Sequence, residues 1–584
     1  MKTFKEEKKN FTRHLYDYST TLTREETAAF LLDYASRERS SRDEYWKRMR
    51  RYYDGKHDIT ATSECFAEEN SLPFVPAQST DGYIHVETQI SPRVPDFEFS
   101  PRDRTDYEKA KQREKIVKYV CDNNGLDGKN TQNERFLGIN GTAVWKVCWD
   151  DGETSFGNNG EVKVTSPCPH EIYPDPAAAD VDSCEYIGYV YKMHTQKARR
   201  VFKNDLKSRG ALFEDYLMND IRGQFISSDM YDLNDDTVTI TEWWFRHPED
   251  GRCVIGEGKE KSVYEYEAGD IGLCIFLNGK EIRYIPKYWK NTSFKSFPFV
   301  IYSRIPSAGS IWGKSELEAI IPLIDAKDRE LLYAQLNSAF SSNDIILMEE
   351  NALSDGETLD NSPGSVWKLR PGMMGKITRL GNLASAEGNL YANSAYWQSL
   401  IEGTTGNFEV NQGKEPSSVT TATGIALLNE RAAARRGLKS IGTSEGFKRL
   451  FLLIDKTCLE YYSDGRIIRL GAADDEEFVY SYGGFIKKTR EKKYIPELDV
   501  TIHTGSAVSN SKAFTVSALT SLISTTITKD NYKLVKAYVE TIGIPERGEI
   551  SEFLERRFGE GEDIPISAEN IIDIIENRME KGEE

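Results

Sequence analysis

Residues 308–316 read AGSIWGKSE. Apart from Ala308, where a first glycine is expected, this is the spacing of a phosphate-binding loop, G-x-x-x-x-G-K-[ST]. In such a loop backbone amides cradle phosphates, the lysine reaches them, and the hydroxyl holds magnesium. The local order also suits that chemistry. An apolar run, FPFVIYSRI (297–305), precedes the loop, and an apolar-periodic stretch, ELEAIIPLIDAKDRELL (316–332), follows it. In this reading Lys314 and Ser315 would serve a nucleotide, and the chain would be an ATPase using 308–315.

The elements that would have to position such a site are missing from the pattern. A phosphate loop needs an acidic residue at the tip of a buried strand to hold the metal. IILMEE (345–350) and LFLLID (450–455) are the two options. The first follows the 314–343 helical pattern with no further strand–helix units, and Asp455 ends a helical pattern. The N-terminal half reads as antiparallel hairpins, without the doubly wound scaffold a nucleotide site uses. Trp312 also puts a bulky ring where small residues are needed. A simpler reading is a capping box: Ser315 caps the amide of Glu318, Glu318 reaches back, Gly313 turns the chain and Lys314 lies outside the helix.

No other catalytic constellation stands out. There is no G-x-S-x-G elbow, no HExxH and no Cys/His pair at a recognisable spacing. Eight cysteines and seven histidines are scattered, and Cys168-Pro-His170 supplies two soft ligands where zinc needs four. The sequence therefore points to no cofactor, no metal site and no catalytic residue. Reduced, buried thiols are the expected state of the cysteines.

At 584 residues the chain exceeds what one core holds. Its 39% apolar and 29% charged composition is that of a folded protein, and no run of eighteen apolar residues offers a membrane span. The polar N-terminus lacks the apolar core of a secretory signal. Net charge is −18, the wrong sign for a protein that grips nucleic acid through its phosphates, yet compatible with one that touches DNA without holding it.

Along the chain, residues 1–23 read as an arm, and Thr23 and Glu26 open a helix to about Arg51 through a T-x-x-E box. SPRVPDFEFSPRD (91–103) reads as extended and 104–124 as a helix ending in NNG. From 137 short strands begin, with a hairpin tip over 152–161. A turn-rich bend (170–178), a basic helix (195–209) and further strands follow. A long helix is expected over 314–343, with Leu317, Ile320, Ile321 and Ile324 on one face and Pro322 marking a kink or a restart. Residues 345–383 read as a β-like insert and 385–402 as a second helix. A Gly/Ser/Thr-rich loop (403–420) leads to a long helix from Thr421, and the last 75 or so residues read as helices. The fold class is α+β.

Four stretches in this order carry a resemblance: YWKRMRRYYDGKHDI (45–59), DPAA (175–178), SFPFVIYSRIP with GSIWGKSELEAIIPLIDAKDRELL (296–332), and GNFEVNQGKEPSSVTTATGIALLNERA (406–432). Together they resemble the portal proteins of tailed bacteriophages over about residues 30–460. The resemblance implies a portal fold assembled as a ring of twelve subunits at one capsid vertex. Its parts would be a wing (1–313, with 421–508), stem helices (314–344 and 385–402), a clip (345–384), a tunnel loop (403–420) and a helical crown (509–584).

It further implies that double-stranded DNA is packaged and ejected through the channel. The tunnel loop would offer Thr404, Thr405, Asn407, Glu409, Asn411, Gln412, Lys414, Ser417 and Ser418. The stem would start at Gly313, Lys314, Ser315 and Glu318, and the clip would dock partners around Asn351, Asp355, Asp360 and Trp367. The implied partners are the terminase large subunit, major capsid and scaffolding proteins, and head-completion or adaptor proteins. The implied place is the virion, after assembly in the host cytoplasm, with no membrane. A passive conduit is not an enzyme, in keeping with the missing catalytic pattern. The alternatives are another phage structural component, adaptor or capsid-like, and the ATPase.

Overall fold

The computed structural model describes residues 23–58, 79–91, 93–102, 106–155, 158–217, 237–255, 262–292, 294–342, 346–350, 352–354, 368–373, 375–379, 387–406, 422–469, 477–479, 485, 487–488 and 493–503. In chain order its main elements begin with α1 (Arg24–Tyr53), α2 (Asp81–Thr88), β1 (Asp96–Pro101), α3 (Tyr107–Asn123), α4 (Leu126–Asn140), β2 (Ala143–Ser155) and β3 (Asn158–Thr165). Then come β4 (Ile172–Pro174), β5 (Tyr186–His194), α5 (Thr195–Val201), α6 (Lys203–Arg209), β6 (Thr237–Arg246), β7 (Ile271–Leu277), β8 (Lys280–Ile285) and β9 (Phe299–Tyr302). The remainder holds α7 (Ile321–Ser342), β10 (Ile346–Met348), β11 (Ile377–Arg379), α8 (Glu387–Thr405), α9 (Ala422–Tyr461) and β12 (Leu498–His503). The chain mixes helix and sheet, as expected of α+β.

The chain divides into two compact units, neither contiguous: 1–90, 132–145 and 166–442 form one, and 91–131, 146–165 and 443–584 the other. The stretch read from sequence as one N-terminal piece, 1–313, is thus divided between both.

In the first unit α1 starts as its sequence dictates. Thr23 accepts from the Glu26 amide, and the Glu26 carboxylate accepts from the Thr23 amide at 2.9 Å. Acidic residues fill its first turn and basic ones its last, matching the helix dipole. Ala28, Leu31, Leu32 and Ala35 recur at helical spacing and bury one face. That face packs on Tyr173, Tyr186, Val190, Trp243, Phe245, Cys274 and Phe276 of a five-stranded sheet, order β8-β7-β6-β5-β4, paired antiparallel throughout. The parallel sheet a nucleotide loop would need is absent from this sheet. Further along α1, the buried Arg39 guanidinium donates to the carbonyls of His170, at 2.9 Å, and Ile172, and lies over the Tyr173 ring.

In the second unit β1 pairs antiparallel with β12 across nearly four hundred residues, from Asp96 opposite His503 to Pro101 opposite Leu498. Phe97 stacks on Phe451, with ring centroids 3.8 Å apart. Arg113 of α3 is buried against Asp455 and donates to the Pro496 carbonyl. Asp455 is therefore a structural counter-ion on a helix. The hairpin of β2 and β3 matches the tip expected over 152–161. At its base Glu161 is fully buried and shared by Tyr462 and Arg466.

Several boundaries differ from the sequence reading. Residues 137–140 complete α4 before the strands begin. The helix expected over 314–343 starts at Ile321, so Pro322 lies in its first turn, where a missing amide hydrogen costs nothing. The helix expected over 385–402 runs from Glu387 to Thr405. The β-like insert holds as far as it is described: β10 pairs antiparallel with β11, and Leu353 bridges Leu369. Residues 509–584, read as a crown, lie outside the described residues.

Candidate functional site

The GSIWGKSE segment joins β9 to α7, and each of its backbone amides near the motif's end is already committed. Trp312 N donates to Ser310 Oγ at 3.2 Å, Gly313 N to Thr142 Oγ1 at 2.9 Å, Lys314 N to the Ile305 carbonyl at 2.8 Å, and Ser315 N to the Tyr45 hydroxyl at 2.9 Å. A phosphate cradle works by pointing free amides at an anion. These four point into the protein.

The serine is committed as well. Ser315 is buried, and its hydroxyl donates to the Gly138 carbonyl at 2.9 Å while accepting from the Leu317 amide at 3.1 Å. The capping box expected of Ser315 and Glu318 does not form. Glu318 accepts instead from the Tyr45 hydroxyl at 2.9 Å and faces Lys314 Nζ at 3.7 Å. Burial pushes Tyr45 up to about 12, so this hydroxyl remains a donor to Glu318 across the neutral range.

Gly313 serves by absence of a side chain rather than by turning. A Cβ there would stand 2.3 Å from Ser303 Cβ and 2.4 Å from the Gly141 carbonyl oxygen. Gly141, with φ of 77°, is the matching half: its Cβ would stand 2.3 Å from the Lys314 carbonyl carbon. Two backbones therefore touch here with no room for any side chain.

A buried charge cluster fixes the same corner. Arg304 lies between Glu134 and Glu316, donating to Glu316 at 2.9 Å, with His85 Nε2 3.4 Å from the other Glu316 oxygen. Burial alone would lower the Arg304 pKa; the two carboxylates outweigh it and raise it. Trp312 packs edge-on against the fully buried Trp46 at 5.0 Å, and Trp46 Nε1 donates to the Asn140 carbonyl. Trp312 thus packs on the segment that precedes the helix. Below this corner, Leu317, Ile320, Ile321 and Ile324 join Met49, Tyr52, Val86, Ile139 and Ile401 in one core.

Beyond this anchored start, α7 packs along α8. Lys327 Nζ donates to Asp81 at 2.6 Å and to Gln398 at 2.5 Å, and a cleft of about 410 Å³ opens beside them, lined also by Tyr391, Ser394, Glu402 and Thr405. Tyr333, Tyr391 and Tyr396 are more than half exposed. Thr404 and Thr405, expected in a loop, belong to the last turn of α8, where the Thr405 hydroxyl donates to the Ile401 carbonyl at 2.9 Å. A threonine that returns its hydroxyl to the backbone is compatible with helix, which extends the element past the glycine at 403. Asn407, Glu409, Asn411, Gln412, Lys414, Ser417 and Ser418 lie outside the described residues, as do Asn351, Asp355, Asp360 and Trp367.

Sequence reasoning missed α2 and the Arg304 cluster. Its only signal was a basic residue in an apolar run, FPFVIYSRI, which names neither Glu316, 12 residues on, nor Glu134, 170 residues back. Among the described residues no helix is long and apolar enough to cross a membrane. No individual curated protein matches the chain. Residues 30–306 match the model of the family described as Phage P22-like portal protein. Over that stretch the chain is similar to the portal proteins of tailed bacteriophages.

Proposed function

We propose that copies of this chain assemble as a ring, twelve-fold in the family's usual form, at one vertex of the phage head. Double-stranded DNA is packaged and later ejected through its central channel. The terminase large subunit docks during packaging, and head-completion or adaptor proteins replace it. Capsid and scaffolding proteins surround the wing, and the ring is a virion component. The chain is a conduit with no catalytic step of its own.

The observation that carries this reading is the firmly anchored helix pair that follows the family-matched region. α7 begins fifteen residues beyond the matched stretch, which ends at 306. It leads through an antiparallel insert to α8 and leaves aromatic side chains on the outside. A stem of this design suits side-by-side packing in a closed ring, in which each copy offers two different faces. The acidic balance, −18, keeps a polyanion sliding rather than bound. The tunnel loop, 403–420, is the segment assigned to DNA, and the clip, 345–384, the part assigned to partner docking.

Particle images of the purified full chain test this directly: rings with a central hole are expected, and a stable monomer or a flat sheet would sink the reading. Shortening 407–419 is expected to leave rings intact and to impair retention of packaged DNA. Rings lost on that deletion would remove the channel-loop role.

A further inference from the structure

The end of α1 and the second turn of α7 meet at a histidine that the channel reading does not use. After Tyr53 the chain turns at Gly55, with φ of 74°, and brings His57 back against the helix it has just left. The ring stacks on Tyr52, centroids 4.8 Å apart and planes 12° from parallel. Its side chain is wholly buried, as is that of Asp328, whose Oδ2 accepts from Nδ1. The second ring nitrogen, Nε2, lies 3.3 Å from the Tyr52 carbonyl oxygen.

Both nitrogens thus face acceptors. A carbonyl oxygen cannot donate, so Nε2 carries a hydrogen. Asp328 is itself held as an acceptor, since its Oδ1 takes the Ser79 amide at 3.1 Å. A carboxylate accepting from a backbone amide on one oxygen calls for a donor on the other. The arrangement is that of an imidazolium clamped between a carboxylate and a carbonyl, with an aromatic face beneath it that favours a cation.

We propose that His57 and Asp328 form a proton-dependent clasp, in which the doubly protonated imidazole ties the end of α1 to α7, and loss of the Nε2 proton removes its charge and its bond to the Tyr52 carbonyl and so weakens that tie. The charged groups around it come from each packed element. Asp325 on α7 accepts from the Tyr52 hydroxyl at 2.5 Å. Asp58 faces Tyr52, Arg48 and Arg51. Asp81, at the start of α2, is already neutralised by Lys327 and bonded by Ser79. Among the described residues, the carboxylates that act on the ring are on α7, at Asp328 and Asp325, the latter also within reach of Arg48.

Burial pushes the imidazole pKa down, but the Asp328 bond and charge, the Tyr52 carbonyl and Asp325 more than offset it, so the net shift is upward. The sign follows. A pKa raised above the unfolded value, about 6.5, gives stability that is complete below that pH and lost as pH rises through the folded pKa. A neutral buried histidine would do the reverse, gaining stability on the alkaline side.

The test uses the full chain. Deuterium uptake at the imidazole Cε1 carbon, read by mass spectrometry across pH, gives each histidine its own midpoint. For His57 a midpoint above 6.5 is expected, falling in Asp328→Asn. A wild-type midpoint at or below 6.5 overturns the clasp, and this measurement stands even if a variant fails to fold. In thermal melts the advantage of wild type over His57→Gln is expected to shrink as pH rises. An advantage that stays constant or grows with pH would equally overturn it. Neither readout depends on ring formation, so the clasp and the channel fail separately.

Discussion

Two segments of this chain carry the same four-residue pattern, and only one makes the structure that the pattern encodes. Thr23-Arg-Glu-Glu26 forms a reciprocal capping box and starts α1 at once. Ser315-Glu-Leu-Glu318 does not, and α7 begins only at Ile321. The difference is in what surrounds them. Thr23 and Glu26 are exposed, and each side chain accepts from the other's backbone amide. Ser315 is buried, beside a Gly138 carbonyl and a Tyr45 hydroxyl that compete for the same groups. A local motif wins where it has no tertiary competitor. Where buried polar groups must be satisfied across the fold, it loses.

The largest break in this comparison is expected from Arg304→Met. It leaves Glu134 and Glu316 buried without their shared cation, which costs about 3–5 kcal/mol. Denaturant unfolding reads the loss. The variant should also recover stability as pH falls, because carboxylates whose folded pKa is raised take up protons in the folded state first.

Next comes Ser315→Ala, which strands the Leu317 amide and removes the donor to Gly138, a loss of about 1–3 kcal/mol in the same assay. Thr23→Ala should cost about 1 kcal/mol, the ordinary worth of an exposed cap. If Ser315→Ala cost less than Thr23→Ala, the tertiary account of the second segment would be wrong. The smallest effect is expected from Lys314→Ala. Its ammonium is exposed and only 3.7 Å from Glu318, so stability should change by less than about 0.5 kcal/mol. Any ATP hydrolysis abolished by that change would restore the phosphate-loop reading.

Much of the fold was legible because its causes are local. The α1 box, the apolar stripe Ala28–Ala35, the β2–β3 hairpin and the 422–461 helix each follow from residues a few positions apart. The helix ends were less so. Thr404 and Thr405 look like loop residues by type, yet both end α8, and the Ile401 carbonyl one turn back accepts the Thr405 hydroxyl. The candidate site was legible as a place and misread in its details. AGSIWGKSE does mark a handover from domain to helix, but Gly313 is small because Gly141 is adjacent in space, a fact with no trace in the spacing of either.

By itself, the sequence determined most helix and hairpin positions and the acidic balance, since these rest on residue type and short-range periodicity; its likeness to the portal family rests on four ordered motifs. Only the tertiary structure decided the rest. It joined β1 to β12, put Arg304 between carboxylates from two distant segments, and set His57 against Asp328. These pairings depend on which buried polar groups find partners when the chain closes on itself. Segments hundreds of residues apart compete for them on equal terms with near neighbours.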